Sequence, residues 1–236
     1  MAAPELETLD VESGPNPVAS IIWMHGLGAD AHDFEPIVPE VAAALGRPLR
    51  FVFPNAPVRP VTVNSGYPMR AWFDIKVLGG SSIAPDEPGI RESAAAIRAL
   101  IRRENEHGVP TSRILLGGFS QGAAMAAYTG VRHSGRLAGI VGLSAFPLLT
   151  ATLDAERQAA NRETPIFLAH GTMDPMVDVR LGEQLRDELK SRGYEVEWRS
   201  YPMQHTVSME ELRDMAAWLK RTASVPTVAE RRRSHE

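Results

Sequence analysis

Cysteine is absent from this chain of 236 residues. That single absence removes disulfides, thiolate metal sites and a cysteine nucleophile together. Positive charge is not in excess either. The formal net charge is -4 at pH 7, so the composition carries no electrostatic footprint for nucleic acid and none is expected as a partner. No apolar run approaches the roughly 18 residues of a membrane span. Met1 to Gly14 is acidic, without a basic or an apolar leader region, so no secretory signal is expected and a cytoplasmic location is the default. Neither H-E-x-x-H nor a close His/Asp cluster suggests a metal, and no cofactor is expected.

What remains is an ordinary globular composition, 44% hydrophobic and 23% charged, long enough to bury a large core. Six short apolar runs read as strands: Ile21–Met24, Phe51–Phe53, Ile114–Leu116, Gly139–Leu143, Ile166–Ala169 and the alternating Val196–Tyr201. Continuous apolar runs suit strands covered on both faces. Helical spacing falls between them: Ile90, Ala94, Ile97 and Ile101 in a segment closing at His107-Gly108, then Val179 to Arg192, then Met209, Leu212, Met215 and Leu219. The alternation predicts an α/β fold with a mostly parallel sheet and helices on both faces. The expected organisation is an N-terminal extension over 1–16, one domain over 17–222 and a solvated tail over 223–236. Asn55 to Gly89 breaks the rhythm, being rich in Pro and Gly, and reads as a long loop, either functional or packing its aromatics into the core.

The stretch with most chemical content is Leu115-Leu116-Gly117-Gly118-Phe119-Ser120-Gln121-Gly122-Ala123. An apolar strand stops at glycines, turns on a serine in a G-x-S-x-G pattern and becomes alanine-rich helix. A nucleophile elbow needs that context, because the turn is too tight for a Cβ at 118 or 122. A serine needs a base to take its proton and an acid to orient the base. In the chain order Ser, acid, His, the acid follows a later strand. Asp174 lies in the loop after Ile166–His170; Asp178 competes but precedes a helical pattern and reads as an N-cap. Of seven histidines, His205 alone lies between the last strand and the last helix. His25 and His170 read as structural hydrogen-bonders at strand ends, and His32 sits in a polar loop. Oxyanion donors are expected from the Gln121 N–H at the helix start and from the His25-Gly26-Leu27-Gly28 turn, at the Leu27 N–H.

These residues, with Pro54-Asn55-Ala56-Pro57, Met69-Arg70-Ala71-Trp72-Phe73-Asp74, His170-Gly171 and the Glu210-Glu211 that follow His205, occur in an order that resembles the carboxylesterase / acyl-protein thioesterase family of α/β-hydrolases, from about Pro17 to Leu219. The resemblance implies an α/β-hydrolase fold, a Ser120–His205–Asp174 triad and an oxyanion hole from Leu27 and Gln121. It also implies an acyl pocket built partly by the Val61–Leu78 loop, with Trp72, Phe73 and Leu78 from that loop and Met176 beside the acid. The expected substrate is a short- to medium-chain carboxylic ester, with a thioester or lysophospholipid as the alternative; an apolar loop edge would also suit a homodimer.

Two rivals fail on context. Gly26-x-Gly28-x-x-Ala31 formally matches a dinucleotide fingerprint, but the next strand ends Phe53-Pro54-Asn55 without the ribose-binding acid. A silent binding module on the same scaffold would be expected to have lost a triad member.

Overall fold

The structure is a computed structural model and describes residues 5–76 and 86–222. Its centre is a sheet of β1 (Thr8–Glu12), β2 (Ser20–Met24), β3 (Arg50–Pro54), β6 (Ile114–Phe119), β7 (Gly139–Leu143), β8 (Ile166–Gly171) and β9 (Val196–Tyr201). The order across it is β1-β3-β2-β6-β7-β8-β9, and every pairing is parallel except β1 on β3. The all-apolar runs take the middle: β2 and β7 are buried at every residue.

Helices cover both faces. α2 (Glu87–Glu106), α3 (Gln121–Val131) and α5 (Val179–Ser191) close one core with the sheet; α1 (Val38–Leu45) and α6 (Met209–Thr222) close the other. α4 (Leu153–Glu156) is a single turn. Each fully buried Leu, Ile or Phe contributes about 1.5–3 kcal/mol, so the two cores supply the fold's main driving force. α3 lies wholly buried against the sheet, and its small residues permit that approach. A Cβ on Gly130 would come within 2.5 Å of the Ile140 side chain.

Two features depart from the sequence expectation. Residues Thr8–Glu12, expected in an N-terminal extension, form an edge strand, fastened by Arg50 bonding Asp10 at 2.6 Å and Glu12 at 3.0 Å. Within the expected loop, β4 (Val58–Val61) and β5 (Tyr67–Arg70) form an antiparallel hairpin. Residues 77–85, and Leu78 with them, lie outside the described residues, as does the expected tail over 223–236. Among the described residues, no helix is long and apolar enough to cross a membrane.

Candidate active site

The elbow forms where β6 hands over to α3. Ser120 has φ 55° and ψ -119°, a conformation that typically costs a non-glycine residue about 1–3 kcal/mol. Neighbouring backbone holds it there: the Ser120 N–H donates to Leu143 O at 2.8 Å, and Ser120 O accepts from the Ala124 N–H at 3.0 Å. A Cβ on Gly122 would lie 2.3 Å from Met24 O and 2.5 Å from His25 O; one on Gly118 would lie 2.6 Å from the Gly122 carbonyl carbon. Those atoms are backbone and cannot swing away. The glycines are steric requirements of the turn.

Ser120, Asp174 and His205 follow β6, β8 and β9, so parallel strands deliver all three to one edge of the sheet, at the strand C-termini. His205 Nδ1 lies 2.6 Å from Asp174 Oδ2, and its Nε2 lies 2.9 Å from Ser120 Oγ. The carboxylate fixes the tautomer: Nδ1 carries the proton, and the Nε2 lone pair faces the serine hydroxyl. Asp174 Oδ1 accepts from the Met176 and Val177 amides, each at 2.9 Å. Burial alone would push this carboxyl up. The His170 and His205 imidazoles and the Val177 amide outweigh it and hold Asp174 well below the usual carboxylate range. Asp178 caps α5 by accepting from the Arg180 N–H. His32 is exposed and pairs with Glu35.

The Leu27 turn is fastened from behind. The Gly28 N–H donates to Arg70 O at 2.9 Å, so the hairpin braces the turn. His25 Nδ1–H donates to Gly26 O at 2.7 Å and its Nε2 accepts from the Ala56 N–H at 3.0 Å. Burial lowers the His25 pKa, which keeps the ring neutral for that double role. Among the described residues, neither the Leu27 nor the Gln121 amide takes a backbone partner.

A cavity of about 180 Å³ opens over Ser120 and His205, lined largely by apolar groups including Leu27, Ile75, Phe146, Met176 and Val177. Met176, expected in an acyl pocket, lies on the wall of this cavity. Trp72 and Phe73 do not. Both are fully buried and stand behind the cavity rather than on its wall. The Gln121 side chain binds the backbone of both, accepting from Trp72 N and donating to Phe73 O at 2.8 Å each, while Trp72 Nε1 donates to His25 O at 2.9 Å. They are core residues that tie the turn after β2 to the start of α3.

Ile75, Phe146 and Val177 line the cavity, and Phe119 packs on the His205 ring with centroids 4.7 Å apart. None of the four was singled out from the sequence as a site residue, although Ile75 belongs to the Val61–Leu78 loop expected to build the pocket. Phe146 carried a signal, since it leaves the C-terminal end of a strand beside the elbow strand.

The described residues contain no group of three or more His, Asp or Glu placed to hold a metal. As it stands, the arrangement has a serine hydroxyl on a histidine base that a low-pKa carboxylate orients, with the Leu27 and Gln121 amides without backbone partners. Acyl transfer is the chemistry such a set can perform.

Comparison with known proteins agrees with this architecture. The sequence profile of the family described as phospholipase/carboxylesterase matches residues 7–223. Acyl-protein thioesterase 1 of Neurospora crassa is 39% identical over 221 residues, 90% of this chain and 89% of the fungal protein. Its namesake from Mycosarcoma maydis is 37% identical over 235 residues, 92% of this chain and 97% of that protein. Among solved structures, acyl-protein thioesterase 2 of Zea mays superposes with a TM-score of 0.81 at 28% identity, covering 92% of this chain and 99% of the maize chain.

Proposed function

The chain belongs to the phospholipase/carboxylesterase family and is an α/β-hydrolase of the esterase and thioesterase type; we propose that its preferred substrates are acyl thioesters, with carboxylic oxygen esters second. The observation that carries a serine mechanism is the hydrogen-bonded chain Ser120–His205–Asp174, with contacts of 2.9 and 2.6 Å, opening on an apolar cavity. The sequence alone put short- to medium-chain oxygen esters first. Curated relatives named as acyl-protein thioesterases move the thioester ahead.

The geometry supports a serine mechanism. Ser120 Oγ attacks the acyl carbonyl carbon while His205 Nε2 takes its proton. Asp174 holds the imidazole in register and stabilises it once charged. The carbonyl oxygen, now an anion, is taken by the Leu27 and Gln121 amides, which have no backbone partner to give up. Collapse expels the thiol or alcohol with the proton from His205 and leaves an acyl-serine. Water, deprotonated by His205, then releases the acid and restores the serine. The apolar cavity takes the acyl chain.

The test compares an S-octanoyl cysteinyl peptide with p-nitrophenyl octanoate, wild type against Ser120→Ala. The expected result is Ser120-dependent hydrolysis of both, with the larger kcat/KM on the thioester. Hydrolysis of the oxygen ester alone would reverse the substrate order.

A further inference from the structure

The structure assigns a fourth member to this site: we propose that His170 is the positioning residue that clamps the Asp174 loop, setting the acid against His205. The proposal rests on the Ser120–His205–Asp174 reading and extends it by one residue. His170 is the penultimate residue of β8 and is fully buried. Its Nε2 lies 2.9 Å from Val177 O and 3.5 Å from Asp174 Oδ2. The Asp174–Val177 loop is thereby tied from both sides. Val177 donates its N–H to Asp174 Oδ1, and its carbonyl accepts from His170. Asp174 Oδ2, the oxygen that bonds His205, faces the same Nε2–H.

Two independent observations show that the fold makes room for this ring. Gly182 sits inside α5, where glycine weakens a helix. A Cβ there would come within 2.4 Å of His170 Nδ1 and 2.9 Å of the Trp198 ring. Trp198 packs beside it, its ring centroid 6.3 Å from the imidazole. The second observation is a cost left standing. Nδ1 is buried without a hydrogen-bond partner among the described residues. An apolar side chain would avoid that cost. A histidine here is explained by what its other nitrogen does, and that nitrogen points at the acid's loop.

The same loop supplies Met176 and Val177 to the cavity, so the clamp and the acyl wall must be separated experimentally. The variants are His170→Leu, His170→Gln, Gly182→Ala and Ser120→Ala. The assays are p-nitrophenyl acetate and octanoate hydrolysis, fluorophosphonate inactivation and thermal melting. A glutamine can place its amide N–H where the imidazole Nε2–H was. His170→Leu should lower kcat about 10- to 100-fold, the usual scale for losing a hydrogen bond that serves a charged group. KM should change far less, the loss should be equal on both esters, and inactivation should slow by the same factor. His170→Gln should recover most of the rate. Gly182→Ala, which leaves the histidine in the sequence but displaces it, should reproduce the loss.

A lowered melting temperature with kcat unchanged in both His170 variants and in Gly182→Ala would overturn the clamp in favour of plain core packing. A loss that grows with acyl length would overturn it in favour of a cavity-wall role. Full activity in Ser120→Ala would instead sink the underlying triad.

Discussion

Replacing Glu211 by glutamine should flatten the dependence of stability on pH. Glu211 lies in the first turn of α6 and is fully buried. Neither carboxylate oxygen has a hydrogen-bond partner among the described residues. Burial pushes its pKa from 4.5 to about 8, and only the nearby Ser208 amide opposes the shift. The sign follows from proton binding. Between those two values the folded protein holds a proton that the unfolded chain has released, so stability falls as pH rises through the window. At about 1.4 kcal/mol per pH unit, the penalty approaches roughly 5 kcal/mol once both states are ionised, with about 3 kcal/mol accruing between pH 5.5 and 8. For a chain of this size that is roughly 6–12 °C in Tm. Calorimetry of wild type and Glu211→Gln from pH 5.5 to 8.5 reads it directly. The unpaired glutamine amide adds an offset that does not vary with pH, so the diagnostic is the gap widening in the variant's favour as pH rises. Parallel Tm curves would refute a buried, proton-holding Glu211.

Gly122→Ala should abolish soluble, active protein, because its Cβ would sit 2.3 Å from a backbone oxygen that has nowhere to move; an active, normally melting variant would remove the steric account of the elbow. Trp72→Phe should lower stability by about 1–3 kcal/mol through the unpaired His25 carbonyl, measured by urea unfolding, while leaving the acyl-length profile unchanged. A shifted length profile without destabilisation would return Trp72 to the cavity wall.

How far the sequence revealed this molecule depended on how each residue is buried. The central strands were legible because covering both faces demands unbroken apolar runs, and the amphipathic helices α2, α5 and α6 because half-burial imposes a 3.6-residue period. β1 was not, since an edge strand reading Thr-Leu-Asp-Val-Glu buries little. The hairpin was masked by Pro60 and Pro68, residues that argue against a strand unless it lies at an edge. At the site, Ser120, Asp174 and His205 could be picked out because chemistry restricts residue type and topology restricts position. Most of the cavity could not, Met176 excepted. Any apolar side chain serves as a wall, so Phe146 and Val177 carry no signal in residue type, and Phe146 has only its place after a strand beside the elbow strand. Trp72 and Phe73 drew attention as loop aromatics, but the Gln121 side chain binds their backbone and turns them inward.

The central claim is that Ser120 is the nucleophile of this chain. The most direct measurement is intact-protein and peptide mass spectrometry after brief exposure to an alkyl fluorophosphonate. One adduct is expected, on Ser120, absent from Ser120→Ala and formed far more slowly in His205→Ala. An adduct on another residue, or hydrolysis surviving in Ser120→Ala, would contradict it.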